Sequence, residues 1–265
     1  MVPYPEWLHA LAWFSLGLAF LSGIVIIADM LRGHRQKMWI MSLVWPITAL
    51  YWGPLAVWGY FKYGRLSTVQ HEQRMQARMG EQRMKQMEER AKKDDRVLPS
   101  HVGVGVSHCG AGCTLGDITG EWLVFMLGLT FAGSAFTTDL VLDFLFAWTF
   151  GVAFQNFTIV PMRGMSPLKG IFAAIKADTF SIVAFQIGLF GWMALAHFVI
   201  FPGPHTHPDE AVHWFMMQIG MVIGYFTAWP ANHLLLKMGW KEKMPKTHML
   251  EMQQNQEQGP ERRVA

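Results

Sequence analysis

SHCGAGCTLGD, residues 107–117, holds both cysteines of the chain, a histidine beside the first and an aspartate four residues after the second. Whether this stretch is loop or helix fixes where the C-terminal membrane segments begin. Glycine inside a helix costs about 0.5–1 kcal/mol relative to alanine, so Gly110 and Gly112 argue for a loop to about Gly112 and a helix from Cys113 or Thr114. Thiols at such a helix start meet free backbone donors and the positive end of the helix dipole, which favour the metal-binding thiolate. The spacing is C-x-x-x-C, unlike the C-x-x-C of thioredoxin-type pairs. Cys109, Cys113, Asp117 and Glu121 step by four and would line one face only if helix ran through them all.

Outward from that stretch the chain is apolar: 265 residues, 52% hydrophobic, with 12 Trp, 19 Phe and only 15% charged residues, which indicates a membrane protein. Runs free of Asp, Glu, Lys and Arg at 7–28, 39–61, 122–138, 144–162, 179–208 and 211–236, the third extended backwards to about residue 118, approach the roughly 20 residues a spanning helix needs. The expectation is an all-α integral membrane fold with about six transmembrane helices. Residues 1–62 would be a two-segment anchor, 63–104 a polar linker helix, 105–245 a four-helix membrane domain and 246–265 a flexible cytoplasmic tail. The first six residues carry no Lys or Arg, so residues 7–28 read as a retained anchor and not a signal peptide.

Lys and Arg favour the cytoplasmic side. Arg163, Lys169 and Lys176 follow the fourth run and Lys237, Lys241, Lys243 and Lys246 follow the sixth, whereas TTDL and FPGPHTHPDEAVH, between the other pairs, have neither residue type. The C-terminal helices therefore read as two hairpins with outward tips, and residues 107–117 as their cytoplasmic mouth. LRGHRQK, between the first two runs, also asks to be inside, which would put the linker outside if both runs span. Pro46, Pro54, Gly53 and Gly59 offer an escape, a re-entrant or broken second segment.

In the linker, Glu81–Lys85, Glu88–Lys92 and Glu89–Lys93 have the favourable i, i+4 order. His71, Met75 and Met79 share a helical face from which Met84 turns away, and packing against the membrane surface or a partner helix explains the methionines better than copper binding.

The two hairpins begin alike, with Asp117 and Asp178 near their helix entries, and end alike, with Asn156 and Asn232 ahead of a basic residue, glycine and proline. This pattern suggests a parallel repeat clustering those four side chains on the cytoplasmic side. An ionisable residue at membrane depth is a functional candidate by default, although helix capping by Asp117 is the plainer alternative. His205, His207 and His213 lie in the outer loop with Asp209 and Glu210, where a solvated loop competes with a metal site.

HCGAGCTLGD, MRGMSPLKGIFAAIKADTFSI and WPANHLLLKMGWKEK together resemble the prokaryotic membrane family known as domain of unknown function 4396, over about residues 105–245. His108, Cys109, Cys113, Gly116 and Asp117 match its His-Cys, second Cys and Gly-acidic pattern. Ala177-Asp178 with Ser181, and Pro230 with Asn232, match two more segments. Gln186 stands where relatives often carry Glu. The resemblance implies no settled activity, and an association of the family's genes with metal resistance.

The expected function is handling of copper or zinc, as a carrier or export component of the inner membrane. His108, Cys109, Cys113 and Asp117 would be the ligands, and Asp178, Asn156, Asn232 and Gln186 the intramembrane polar set. The alternatives are a redox or haem-type membrane protein, or a scaffold with inert thiols. No organic cofactor, nucleic-acid partner or enzyme motif is expected. The lipid bilayer and, through the linker helix, a membrane or metal-resistance protein are the expected partners.

Overall fold

The structure, a computed structural model, describes residues 4–94, 96–131, 133–202 and 207–241. His205 and the tail at 246–265 lie outside them. Helices make up the fold: α1 Glu6–Leu31, α2 Met41–Trp52, α3 Pro54–Gly59, α4 Val69–Met79, α5 Glu81–Lys93, α6 Pro99–Leu127, α7 Ala135–Arg163, α8 Pro167–Leu195 and α9 Ala211–Lys237, with no strand among the described residues. Four helical segments are long and apolar enough to cross a membrane: Glu6–Leu31, Ala135–Arg163, Pro167–Ile200 and Ala211–Lys237. Multi-pass membrane architecture accords with this, but not the expected count of six.

Residues 107–117 are helix throughout, in the middle of α6. The expected loop is overturned because the glycines are seats for the neighbouring helix. A Cβ on Gly112 would lie 2.7 Å from the Gly151 Cα of α7. One on Gly116 would overlap the Ala147 backbone, and one on Gly120 would meet the Asp143 carboxylate. Small residues every fourth position let two backbones approach closely, and in a membrane such packing holds helices together. The cost of glycine within α6 is offset by that contact. The thiols are consequently at mid-helix, with no free backbone donors beside them.

The run at 118–138 is not one helix. Gly128, in left-handed conformation at φ +61°, ends α6, and the Ser134 hydroxyl accepts from Thr137 N–H at 3.2 Å to start α7. The hairpin tip therefore lies between the Gly128 and Ser134 caps, and TTDL belongs to α7. The second hairpin packs by the same device, a Cβ on Gly188 lying 2.9 Å from the Gly224 Cα.

The second apolar segment is broken. Gly53, at φ +53°, separates α2 from α3, and π-helical Tyr60–Gly64 and 3₁₀-helical Arg65–Ser67 bring the chain back beside the end of α1. Gln36 Nε2 donates to Gly64 O at 3.1 Å. Arg65 grips Asp29 with two hydrogen bonds, Nη2 to Oδ1 at 2.6 Å and Nε to Oδ2 at 3.1 Å, and the Tyr60 hydroxyl adds a third at 2.9 Å. The segment thus enters and leaves at one end of the molecule.

That end collects the basic loops. Trp39 packs on Phe157 near the close of α7, Arg163 reaches Gly239 O, and Lys176 sits over the Trp240 ring. At the opposite end Tyr4 meets Phe201, and Phe125 of α6 meets His207. The first helices pack against the four-helix unit: Ser15 donates to Gln218 of α9, which donates to Leu50 O of α2.

The linker is two helices, broken at Gly80 with φ +78°. The break turns Met84 onto Met75, where Leu66 and Met87 join them, so these methionines form a small apolar core. Lys85 and Glu81 pair at 2.7 Å, as their spacing predicts.

Gly116→Leu is expected to destabilise the protein by roughly 3 kcal/mol or to prevent folding, because its side chain has backbone on the far side. Gly17→Ala, with open space around it, should leave the melting temperature unchanged or raise it. Thermal unfolding in detergent, followed by size-exclusion chromatography, separates the two.

Candidate functional site

The α6–α7 seam carries acid on both sides. Asp117 and Glu121 project from α6 and Asp139 and Asp143 from α7, and none is more than 3% exposed. Asp143 is held against Gly120 where a larger residue would exclude it. The charged groups acting on Asp143 are Asp117, Glu121 and Asp139, so this is one electrostatic cluster of like charges. From α8, Gln186 donates Nε2–H to Asp117 Oδ1 at 3.3 Å, while Asp117 Oδ2 and Asp143 Oδ1 have no hydrogen-bond partner among the described residues. From the first turn of α9, His213 brings Nε2 to 3.5 Å from Glu121 Oε2, close enough to pair when the imidazole is protonated.

Two cavities reach the cluster. Asp117 lines one of about 530 Å³ between α1, α2, α6 and α9. Glu121 and Asp139 line another of about 230 Å³ at the tip end, together with His207. His207 is exposed in the loop before α9, with its ring near Phe125, whereas His213 is buried within α9, so the two do not share one outer-loop site.

A second polar group lies toward the basic end. Lys241, just past α9, is 4% exposed and places Nζ 2.7 Å from Asp178 Oδ1, 2.7 Å from Asn232 Oδ1 and 3.3 Å from Ser181 Oγ. Asn232 donates Nδ2–H to Ser181 at 2.7 Å. The Asp178 contact is an ion pair by distance, without good hydrogen-bond aim. Between the two groups lie Cys109 and Cys113, both buried and unbridged, with Cys113 in the fields of Asp117 and Asp178.

The expected quartet does not converge. In a continuous helix His108 turns off the cysteine face, where Nε2 pairs with Thr158 Oγ1 at 2.8 Å and the ring stacks on Phe154. Among the described residues no three His, Cys, Asp or Glu side chains are placed to hold one metal ion. Asp117 is not at a helix entry but about five turns past Pro99, so it caps nothing. Of the four side chains expected to cluster, Asp178 and Asn232 meet through Lys241, whereas Asn156 lies apart against Gly170 of α8.

Asp139, Asp143, Lys241 and Ser181 did not emerge as site residues from the sequence. The signals were present: two aspartates four apart in apolar surroundings, facing a Gly-x-x-x-Gly-x-x-x-Gly stretch, and a lysine two residues past the Gly239 that ends the last helix.

Residues 100–241 match the family described as "Domain of unknown function (DUF4396)". No curated protein and no solved structure matches the chain.

Removing one member of a buried ion pair leaves its partner's charge uncompensated, which typically costs about 3–5 kcal/mol. Lys241→Met should lower stability on that scale, and Lys241→Met/Asp178→Asn should recover much of it. Melting temperatures of the single and double variants check this.

Proposed function

The chain belongs to the DUF4396 family, and because that membership brings no activity with it, we propose from the chain's own residues that it is a proton-linked cation carrier. The observation that carries this reading is the cluster Asp117, Glu121, Asp139 and Asp143, buried within the helix bundle. Charged carboxylates so placed repel one another in a low dielectric, and the repulsion is relieved by protons or by a bound cation. Exchange of one for the other is the elementary act of such a carrier, and intramembrane acids are its usual bearers.

Copper or zinc suits the cargo side. Cys109 and Cys113, one helical turn apart and leading to Asp117, offer soft donors next to a hard one. A metal would draw these side chains together on binding, with Asp178 and Lys241 as the group it meets toward the basic end.

The membrane path that best fits the charges has five crossings, α1, α6, α7, α8 and α9, with α2–α3 as a re-entrant pair. The basic end would face the cytoplasm of a prokaryotic cell and the tips would face outwards. Shared glycine seams support reading the two hairpins as a parallel repeat, and α4–α5 would offer the surface for a partner protein.

Two experiments test this. In proteoliposomes, a pH gradient should drive uptake of zinc or copper(I), and Asp117→Asn and Asp143→Asn should each reduce it roughly ten-fold or more, the scale of about 1.4 kcal/mol at the barrier. No gradient-dependent flux with any of these ions would sink the carrier. If flux persists but elemental analysis shows equal metal in Cys109→Ala/Cys113→Ala and parent protein, the thiols are not ligands. For the path, Arg35→Cys and Arg96→Cys should label from the same side and Thr130→Cys from the other; labelling of the first two from opposite sides would overturn the re-entrant pair.

A further inference from the structure

The cavity of about 530 Å³ that touches Asp117 has a chemistry of its own. Its walls are aromatic, with Trp13 from α1, Trp122 from α6 and Trp214 from α9. The charged residues lining it are all acidic, Asp117, Asp209 and Glu210, and among the described residues no Lys, Arg or His joins them. Asp117 is fully buried, and with Oδ1 engaged by Gln186 its Oδ2 has no partner among the described residues. The Trp214 indole is fixed by donation to Pro208 O at 2.7 Å. Trp13 is 67% exposed on the outer face of α1, which puts one wall of the cavity at the lipid boundary.

Aromatic faces attract cations through their quadrupole, and most strongly where water is excluded. A mainly apolar cavity of several hundred Å³ with a few convergent polar groups is the usual form of a small-molecule site. A neutral lipid tail would satisfy the tryptophans but leave Asp117 Oδ2 unpaired, and an anion would be repelled. A small hydrated metal ion would leave the apolar walls empty. We propose that this cavity binds an organic cation with hydrophobic substituents, its charge set against Asp117 and its apolar groups between the three indoles. Entry is from the bilayer, past Trp13. The site does not depend on inorganic cation carriage and stands if that reading fails.

The test uses full-length protein in nanodiscs of uncharged phosphatidylcholine, with tetraphenylphosphonium as the probe and flow dialysis and tryptophan fluorescence as readouts. Expected is saturable binding, competed by dodecyltrimethylammonium, with neutral triphenylphosphine oxide binding roughly ten-fold more weakly or not at all. Asp117→Asn should weaken the phosphonium by a similar factor. Equal binding of the neutral compound to the parent protein would overturn the proposal without recourse to any variant. So would an unchanged affinity in a folded Asp117→Asn protein, or absence of saturable phosphonium binding. Glu210→Gln, at the cavity rim and outside the packed seam, serves as the second variant, and its expected result is a smaller loss in the same direction.

Discussion

The contact between α6 and α7 governs the rest of the molecule. Three glycines spaced by four on α6 let α7 approach until Gly112 lies against Gly151 and Gly116 against Ala147. That approach is what places Asp143 beside Asp117 and Glu121, since the carboxylate occupies the space Gly120 leaves. Packing and electrostatics are therefore one feature here. In lipid, helices gain little by hiding apolar surface from each other, and close van der Waals contact between small residues takes over. The same contact shields the polar face of α6 from lipid, which explains how a helix with histidine, two thiols and two acids can sit in an apolar bundle.

Charge distribution follows from a second constraint, the return of α2–α3 to the end it entered. A continuous second span would have sent the basic linker to the far end, against the basic loop at 32–37. The break at Gly53 and the Asp29–Arg65 pair remove that conflict. The loops rich in Lys and Arg then lie together, and the tips, with neither, lie together at the other end.

Much of this was legible in the residues. The all-helical class, the apolar segments, the possibility of a broken second segment and the family resemblance came from composition, proline and glycine placement and three marker stretches. What failed were readings that scored glycine by its helix propensity alone. Propensity is a local cost, and at Gly110, Gly112, Gly116 and Gly120 a tertiary contact outweighs it. That reading moved the thiols to a helix start and Asp117 to a helix entry, while bounding the helices by charge-free runs left Asp139 and Asp143 outside α7, away from the acids they face. The Lys241 pair was hidden for another reason: a lysine following a membrane helix signals orientation far more often than burial, and only the fold shows that this one bends back to Asp178.

The Asp29–Arg65 clamp has a consequence for biogenesis. Its two residues are separated by only 36 positions, and both precede α6. As the chain emerges N-terminus first, α1 and the broken segment can be fastened to each other before any of the four-helix unit has been made. On the proposed re-entrant path, a segment interrupted in mid-membrane would expose backbone groups that lipid cannot satisfy. Fastened early to α1, it waits as a formed platform on which α6 and then α9 can dock, and the chain is spared a stage in which the break is left to the bilayer.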